Sequence, residues 1–247
     1  MLNMGKISAK QLEIKYMSIQ KSIKPVLFTV LTLICCFSGP LLGQITVQRG
    51  PYLQKPTSTS MVVRWRTSLL TDSRVMYGSN PVSLSQNMDI AAAVNDHEVE
   101  ITGLQPYTKY YYAVGTTGQM LAGGDSSHYF ITAPTPGTVQ PIRVWAIGDF
   151  GKDNAEQALV RDAYLNFEGD THTDLWLWLG DNAYDNGSDT EYQNKVFANA
   201  NGYSAMFPRL PFLPTPGNHD YLSIQNPLQN ISPPNHSGPY YDIITVP

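Results

Sequence analysis

Cysteine is almost missing from this 247-residue chain: it holds two, Cys35 and Cys36, side by side in one apolar run. If that run is removed, the mature chain has none. Disulfide scaffolds, Cys-ligated zinc, iron–sulfur clusters and a cysteine nucleophile are then excluded. Charge is scarce at 15% and leans acidic, 16 Lys+Arg against 20 Asp+Glu. No basic excess exists to bind nucleic acid. A stretch able to span a bilayer is lacking too. The run Val26 to Phe37 has 12 residues, where a crossing helix needs about 20, so no stable membrane span is expected. No Gly-x-Ser-x-Gly elbow and no Walker-type loop occurs, which removes support for serine-hydrolase and P-loop chemistry. Internal repeats and low-complexity tracts are absent. With 42% hydrophobic and 11% aromatic residues, the chain is not a disordered one. Its length accommodates one or two domains.

What is present is unevenly spread. Residues 1–43 carry five lysines against Glu13 alone, and the remainder holds 11 basic and 19 acidic residues, net −8. Lys21 and Lys24 precede the apolar run, and Ser38-Gly39-Pro40 breaks it. That layout reads as an export signal over residues 1–43, with Met17 as an alternative start, and predicts a secreted or periplasmic protein. An acidic body does not draw in a phosphorylated substrate, so handling phosphate would require local cations at the site.

Two regions of different character follow. Residues 44–133 read as short strands, among them Met61–Trp65, Val75–Tyr77, Val99–Ile101 and Tyr110–Val114, separated by turn signals. This spacing predicts an antiparallel β-sandwich. Gly103-Leu-Gln-Pro-Tyr-Thr-Lys-Tyr110-Tyr-Tyr112 resembles the tyrosine corner of fibronectin type III domains, with Tyr110 or Tyr112 as the corner residue. Trp65 is expected in the sandwich core, and no residue here has an evident chemical role. Residues 134–141 form a Pro-rich linker. Residues 142–247 change pattern: strand at Ile142–Ile147, helix opened by the Asp153–Glu156 capping box and running to about Phe167, and strand at Asp174–Leu179 covered on both faces. A helix capped by Ser188 and Glu191 and a third strand at Leu210–Thr215 follow. The alternation predicts an α/β layer structure.

Each apolar strand runs into a short polar motif: Gly148-Asp149-Phe-Gly151, Gly180-Asp181-Asn-Ala-Tyr184 and Gly217-Asn218-His219-Asp220. Ligands of open α/β sheets bind beyond the carboxyl ends of the strands, so neighbouring strands would bring Asp149, Asp181 and Asn218 to one edge. A preceding glycine in each motif permits the sharp turn. Carboxylate, amide and phenol oxygens are hard donors suited to a pair of metal ions, which can clamp a phosphoryl group and activate water.

The set GDFG, GDNAY, GNHD resembles the first three of five signature blocks of the purple acid phosphatases, within the calcineurin-like metallophosphoesterases. That family also often sets a fibronectin-like domain before the catalytic one. The fold implied is an N-terminal antiparallel fibronectin-III-like β-sandwich followed by the first half of an α/β (αββα sandwich) metallophosphoesterase domain. The implied cofactor is a dinuclear centre, Fe(III) plus Fe, Zn or Mn. In it, Asp149 binds the first ion, Asp181 bridges both, Tyr184 binds iron as phenolate, and Asn218 binds the second ion. His219 would contact substrate phosphate and protonate the leaving oxygen. The implied activity is hydrolysis of small phosphate monoesters by a metal-bound hydroxide. Gly151, where many relatives outside the purple branch carry a His ligand, favours that branch. Asp220 stands where the purple pattern has Glu and reads as a minor departure.

The family's last two blocks, which supply His ligands, have no counterpart here. After His219 the only histidine is His236, in a loop-like context. The expectation is a truncated chain that binds metal poorly and is nearly inactive. A phosphodiesterase or nucleotide-cleaving relative is the alternative enzyme, and a secreted binding protein with a degenerate hydrolase remnant the alternative class. His97, His128, His172 and His236 are expected in solvent or loop roles, and Asn186, Asn230 and Asn235 begin N-x-S sequons.

Overall fold

The computed structural model describes residues 43–197 and 200–222. The apolar run with Cys35 and Cys36 lies outside the described residues, as do His236, Asn230 and Asn235. The described residues from Ile45 onward belong to one compact unit. Among the described residues no helix is long and apolar enough to cross a membrane.

Six strands come first: β1 (Val47–Gln54), β2 (Met61–Gly78), β3 (Gln86–Ile101), β4 (Lys109–Gly115), β5 (Met120–Gly123) and β6 (Tyr129–Ile131). Their pairings are all antiparallel. The expected separate strands at Met61–Trp65 and Val75–Tyr77 are instead the two ends of one 18-residue strand, β2. Its register against β3 slips between Arg66 and Thr71 and again between Thr71 and Ser73. Such bulges bend a strand and increase its twist without ending it. One half of β2 therefore pairs with β1 and the other with β4. Met61, Val63 and Trp65 from one end meet Val75 and Tyr77 from the other in a single core.

His97 sits at that bend, 2% exposed, which corrects the expected solvent or loop role. Its ring stacks on Trp65 at 4.5 Å and bonds to Thr67 Oγ1 (2.8 Å) and Ser73 Oγ (2.7 Å), on either side of the slip. Burial holds its pKa below the ordinary histidine value. The tyrosine corner is made by Tyr110, whose hydroxyl accepts from Gln105 N at 3.0 Å. Tyr112 donates instead to Pro208 O, 2.9 Å away in the following region.

That region has three parallel strands, β7 (Val144–Ile147), β8 (Leu175–Trp178) and β9 (Phe212–Pro214), paired in chain order. Helix α1 (Ala155–Glu168) joins β7 to β8. Its cap is Asn154, whose side chain accepts from Gln157 N at 3.0 Å, one residue later than the expected Asp153. Between β8 and β9 lie α2 (Asp189–Glu191) and a π-helical turn (Tyr192–Phe197). The Ser188–Glu191 capping box is present as expected. The short α3 (Asn218–Leu222) follows β9.

The core of this layer is aromatic. Trp145 stacks on Tyr164 at 3.9 Å and on Trp176 at 4.8 Å, and Trp178 stacks on Phe212 at 4.1 Å. Removing a buried ring of this size costs about 3–5 kcal/mol. Only one face of β8 is fully covered: Trp176 and Trp178 are buried, Leu175 and Leu177 half-buried, and Leu179 exposed. The expectation of full cover on both faces is thus not met among the described residues; the packing follows a period of two. Tyr52 of β1 joins the same aromatic core, 5.2 Å from Phe197 and 5.7 Å from Phe212.

Candidate metal centre

The three polar motifs stand at the carboxyl ends of β7, β8 and β9, on the edge where parallel sheets collect their ligands. Asp149 and Asp181 both take left-handed backbone, φ 58° and 50°. Aspartate tolerates this conformation better than most residues, and such outliers gather at functional sites. Of the leading glycines, Gly180 takes a positive φ of 105° that favours glycine, whereas Gly217, like Gly151 at the end of the first motif, serves as empty space. A Cβ on Gly217 would lie 2.2 Å from Asp181 Oδ1, and one on Gly151 would lie 2.0 Å from Asn182 O. A side chain two positions beyond Asp149 has no room here.

Tyr184 closes the geometry. Its hydroxyl lies 2.8 Å from Asp149 Oδ1 and 3.1 Å from Asp181 Oδ2. One phenolic proton is thus presented to two carboxylates delivered by different strands. Partial burial and then the two carboxylates push the Tyr184 pKa well above the ordinary tyrosine value, so the phenol keeps its proton in this state. A cation in place of that proton would satisfy all three oxygens at once. The donor set fits a hard or borderline metal ion on this ground.

His219 reaches the same place. Its backbone N–H donates to Asp181 Oδ1 at 3.0 Å, and its ring lies 4.5 Å from that of Tyr184. Nδ1 lies 2.7 Å from Asp185 O. A carbonyl only accepts, so Nδ1 carries the proton and Nε2 is the nitrogen left for another partner. Asn218 is exposed at the start of α3, and its side chain makes no hydrogen bond among the described residues. The structure therefore brings Asp149, Asp181, Tyr184 and His219 together and sets Asn218 one residue from them. Among the described residues, no group of three or more His, Cys, Asp and Glu is placed to hold a metal.

Asp220, which sequence reasoning passed over as a minor departure, is the organiser of the site. Its carboxylate is 3% exposed. It accepts from Gly217 N (2.8 Å), Asn182 N (3.1 Å), Asn182 Nδ2 (3.1 Å), Ala183 N (3.3 Å) and the Tyr192 hydroxyl (2.8 Å). These bonds fasten the second motif to the third. Lys152, also unremarked in the sequence, places Nζ 4.4 Å over the Tyr184 ring and brings a cation to the acidic edge. The remaining histidines are elsewhere: His128 bonds to Asp125 at 3.0 Å, and His172 lies half-buried near Tyr129.

Comparison with known proteins agrees with this layout. Residues 48–133 match the family model for the purple acid phosphatase N-terminal domain, and residues 142–246 match that for calcineurin-like phosphoesterases. No curated protein matches the chain. Among solved structures, that of PhoD aligns with a TM-score of 0.56 at 17% identity, over 73% of this chain and 40% of that one, so this chain spans well under half its length. The fn3 domain of human contactin 1 (TM-score 0.28, 13% identity, 42% of this chain and 96% of that one) is also similar, too weakly to argue from. The FN5 domain of Drosophila Lar, at TM-score 0.26 and 19% identity over 35% of this chain and 94% of that one, is equally weak. The chain thus carries a purple acid phosphatase N-terminal domain followed by a calcineurin-like phosphoesterase domain.

Proposed function

We propose that this chain contributes ligands to a dinuclear hydrolase site for phosphate monoesters. The observation that carries the reading is the single Tyr184 proton held between Asp149 and Asp181. Asp149, Asp181, Tyr184 and Asn218 would hold iron together with a second ion, Fe, Zn or Mn. When bound, such ions supply Lewis acidity for activating water and for neutralising phosphoryl charge. The chain's own groups do the rest. Tyr184 would hold a cation as phenolate, its proton lost to solvent. Asp181 is held by the His219 amide, so its two oxygens keep fixed directions. His219 is oriented through Nδ1 by Asp185 O, which leaves Nε2 to contact substrate phosphate and, when it carries a second ring proton, to give that proton to the leaving oxygen. Lys152 offers a positive charge to an incoming phosphate in a body of net negative charge.

The test is ferric titration of the full chain, followed by visible absorption. A phenolate-to-iron band is expected in the parent and is abolished in Tyr184→Phe. A band of equal strength in that variant removes Tyr184 from the ligand set. The choice between monoester and diester substrates rests on the family resemblance. Comparing hydrolysis of a phosphate monoester and a diester by metal-loaded protein decides it.

A further inference from the structure

We infer that the segment Ser188–Phe197 couples the N-terminal sheet to the candidate metal centre, with Arg49 and Arg66 of that sheet as positioning residues. The role assigned to the centre rests on the phosphoesterase reading; the coupling itself rests on the contacts below.

The segment faces two ways. On its outer side, Asp189 receives two guanidinium groups. Arg49 Nη1 lies 2.9 Å from Oδ1, and Arg66 Nη1 lies 2.7 Å from Oδ2. Arg49 also donates to Asp189 O at 3.2 Å and, through Nε, to Gln193 Oε1 at 2.6 Å. Gln193 in turn donates to Gln48 O at 2.9 Å. The Arg49 side chain is 1% exposed and the Asp189 side chain 56% exposed, so the cation is buried while its carboxylate is partly screened by solvent. Arg66 has a second anchor in Asp96 at 2.6 Å, which fixes it to the sheet.

On its inner side, the same residues hold the catalytic loop. Glu191 accepts from the backbone N–H groups of Asp185, Asn186 (3.1 Å) and Ser188 (2.9 Å). Lys195 donates to Tyr184 O, the carbonyl of the proposed phenolate ligand. Tyr192 donates to Asp220, which fastens the second and third motifs. Gln157 ties the π turn to the first motif's loop, donating to Lys195 O at 2.8 Å and accepting from Lys152 N at 2.9 Å. A π turn packs its residues at other angles than an α-helix does, and such turns are frequent at functional sites. Here it lets adjacent residues point to opposite sides, Tyr192 inward and Gln193 outward. The position of Asp189 is therefore felt at Tyr184, Asp185 and Asp220 through at most two side chains.

The experiment uses the full chain without metal. Amide hydrogen exchange is followed by mass spectrometry in peptides covering residues 184–188, with β4 as reference. Asp189→Asn keeps an acceptor for Arg49 but drops the charge, and Arg66→Met removes the second guanidinium. Each is expected to speed exchange at 184–188 about tenfold, the equivalent of one hydrogen bond to a charged group. β4 stays at the parent rate, and Arg66→Lys, which keeps a cation near Asp189, restores slow exchange. Exchange at 184–188 within about twofold of the parent in both variants overturns the coupling. So does acceleration spread equally through β4, which would report general loosening. A parallel Mn2+ titration of the parent reads the phosphoesterase assignment separately: no binding there sinks that reading and leaves the exchange result standing.

Discussion

Replacing Asp220 by asparagine is the sharpest probe of the site's architecture. The substitution preserves shape, yet an amide offers one acceptor oxygen where the carboxylate offers two. Oδ2 now accepts from Gly217 N and Asn182 Nδ2, and Oδ1 from Ala183 N and the Tyr192 hydroxyl. If the new NH2 replaces Oδ2, two N–H donors face it directly. If it replaces Oδ1, the Tyr192 hydroxyl can turn to accept, but Ala183 N is orphaned. In either orientation every remaining bond loses its charge assistance. Two such bonds are worth about 3 kcal/mol at a fully buried position, a large share of a total stability of roughly 5–15 kcal/mol. Urea unfolding followed by tryptophan emission is the assay. Three of the four tryptophans, Trp145, Trp176 and Trp178, lie in the aromatic core of the α/β region and Trp65 in the N-terminal core, so emission is weighted toward the part affected. A loss below about 1 kcal/mol would refute the reasoning, because it would mean the five donors find other partners at no cost.

Two further outcomes follow from the same geometry. Gly217→Ala should displace Asp181, because the added methyl would lie 2.2 Å from Oδ1; Mn2+ affinity measured by calorimetry falls at least tenfold, on the order of the loss of one charged contact. Glu191 is worked on by burial, which opposes ionisation. The N–H and O–H donors of Ser188, Asp185 and Asn186 outweigh it and hold the pKa down at about 2. Because the folded pKa lies below the ordinary glutamate value, its stabilisation is full above that value and is lost as pH falls toward 2. The urea midpoint of the parent should therefore drop across that window toward that of Glu191→Gln, whose own midpoint changes less. Equal pH dependence in the two proteins would exclude Glu191 as the source.

Much of the site could be read in the chain because its signals are local. Asp149, Asp181 and His219 each follow an apolar run that reads as a strand, and neighbouring parallel strands deliver their ends to one edge. The Ser188–Glu191 box is spelled within four residues, and the structure contains it. The signals that misled were also local. Met61–Trp65 and Val75–Tyr77 read as two separate strands, yet pairing with β3 keeps β2 extended through a bulge. Asp153 has the spacing of a cap, but it adopts a positive φ of 56° and Asn154 takes the role.

Order along the chain, strand periods and the types of donor at each strand end are properties of neighbouring residues, and they were written there: a β-rich region, an α/β region, and oxygen donors at one edge. Partnerships across long stretches of chain were not. Asp220 meets Asn182 38 positions away, and Arg49 meets Asp189 140 positions away. Nothing near either residue marks it, because a carboxylate or guanidinium reads the same in solvent as in a buried network. Folding decides which of them loses its water, and that loss is what turns an ordinary polar side chain into one that the site depends on.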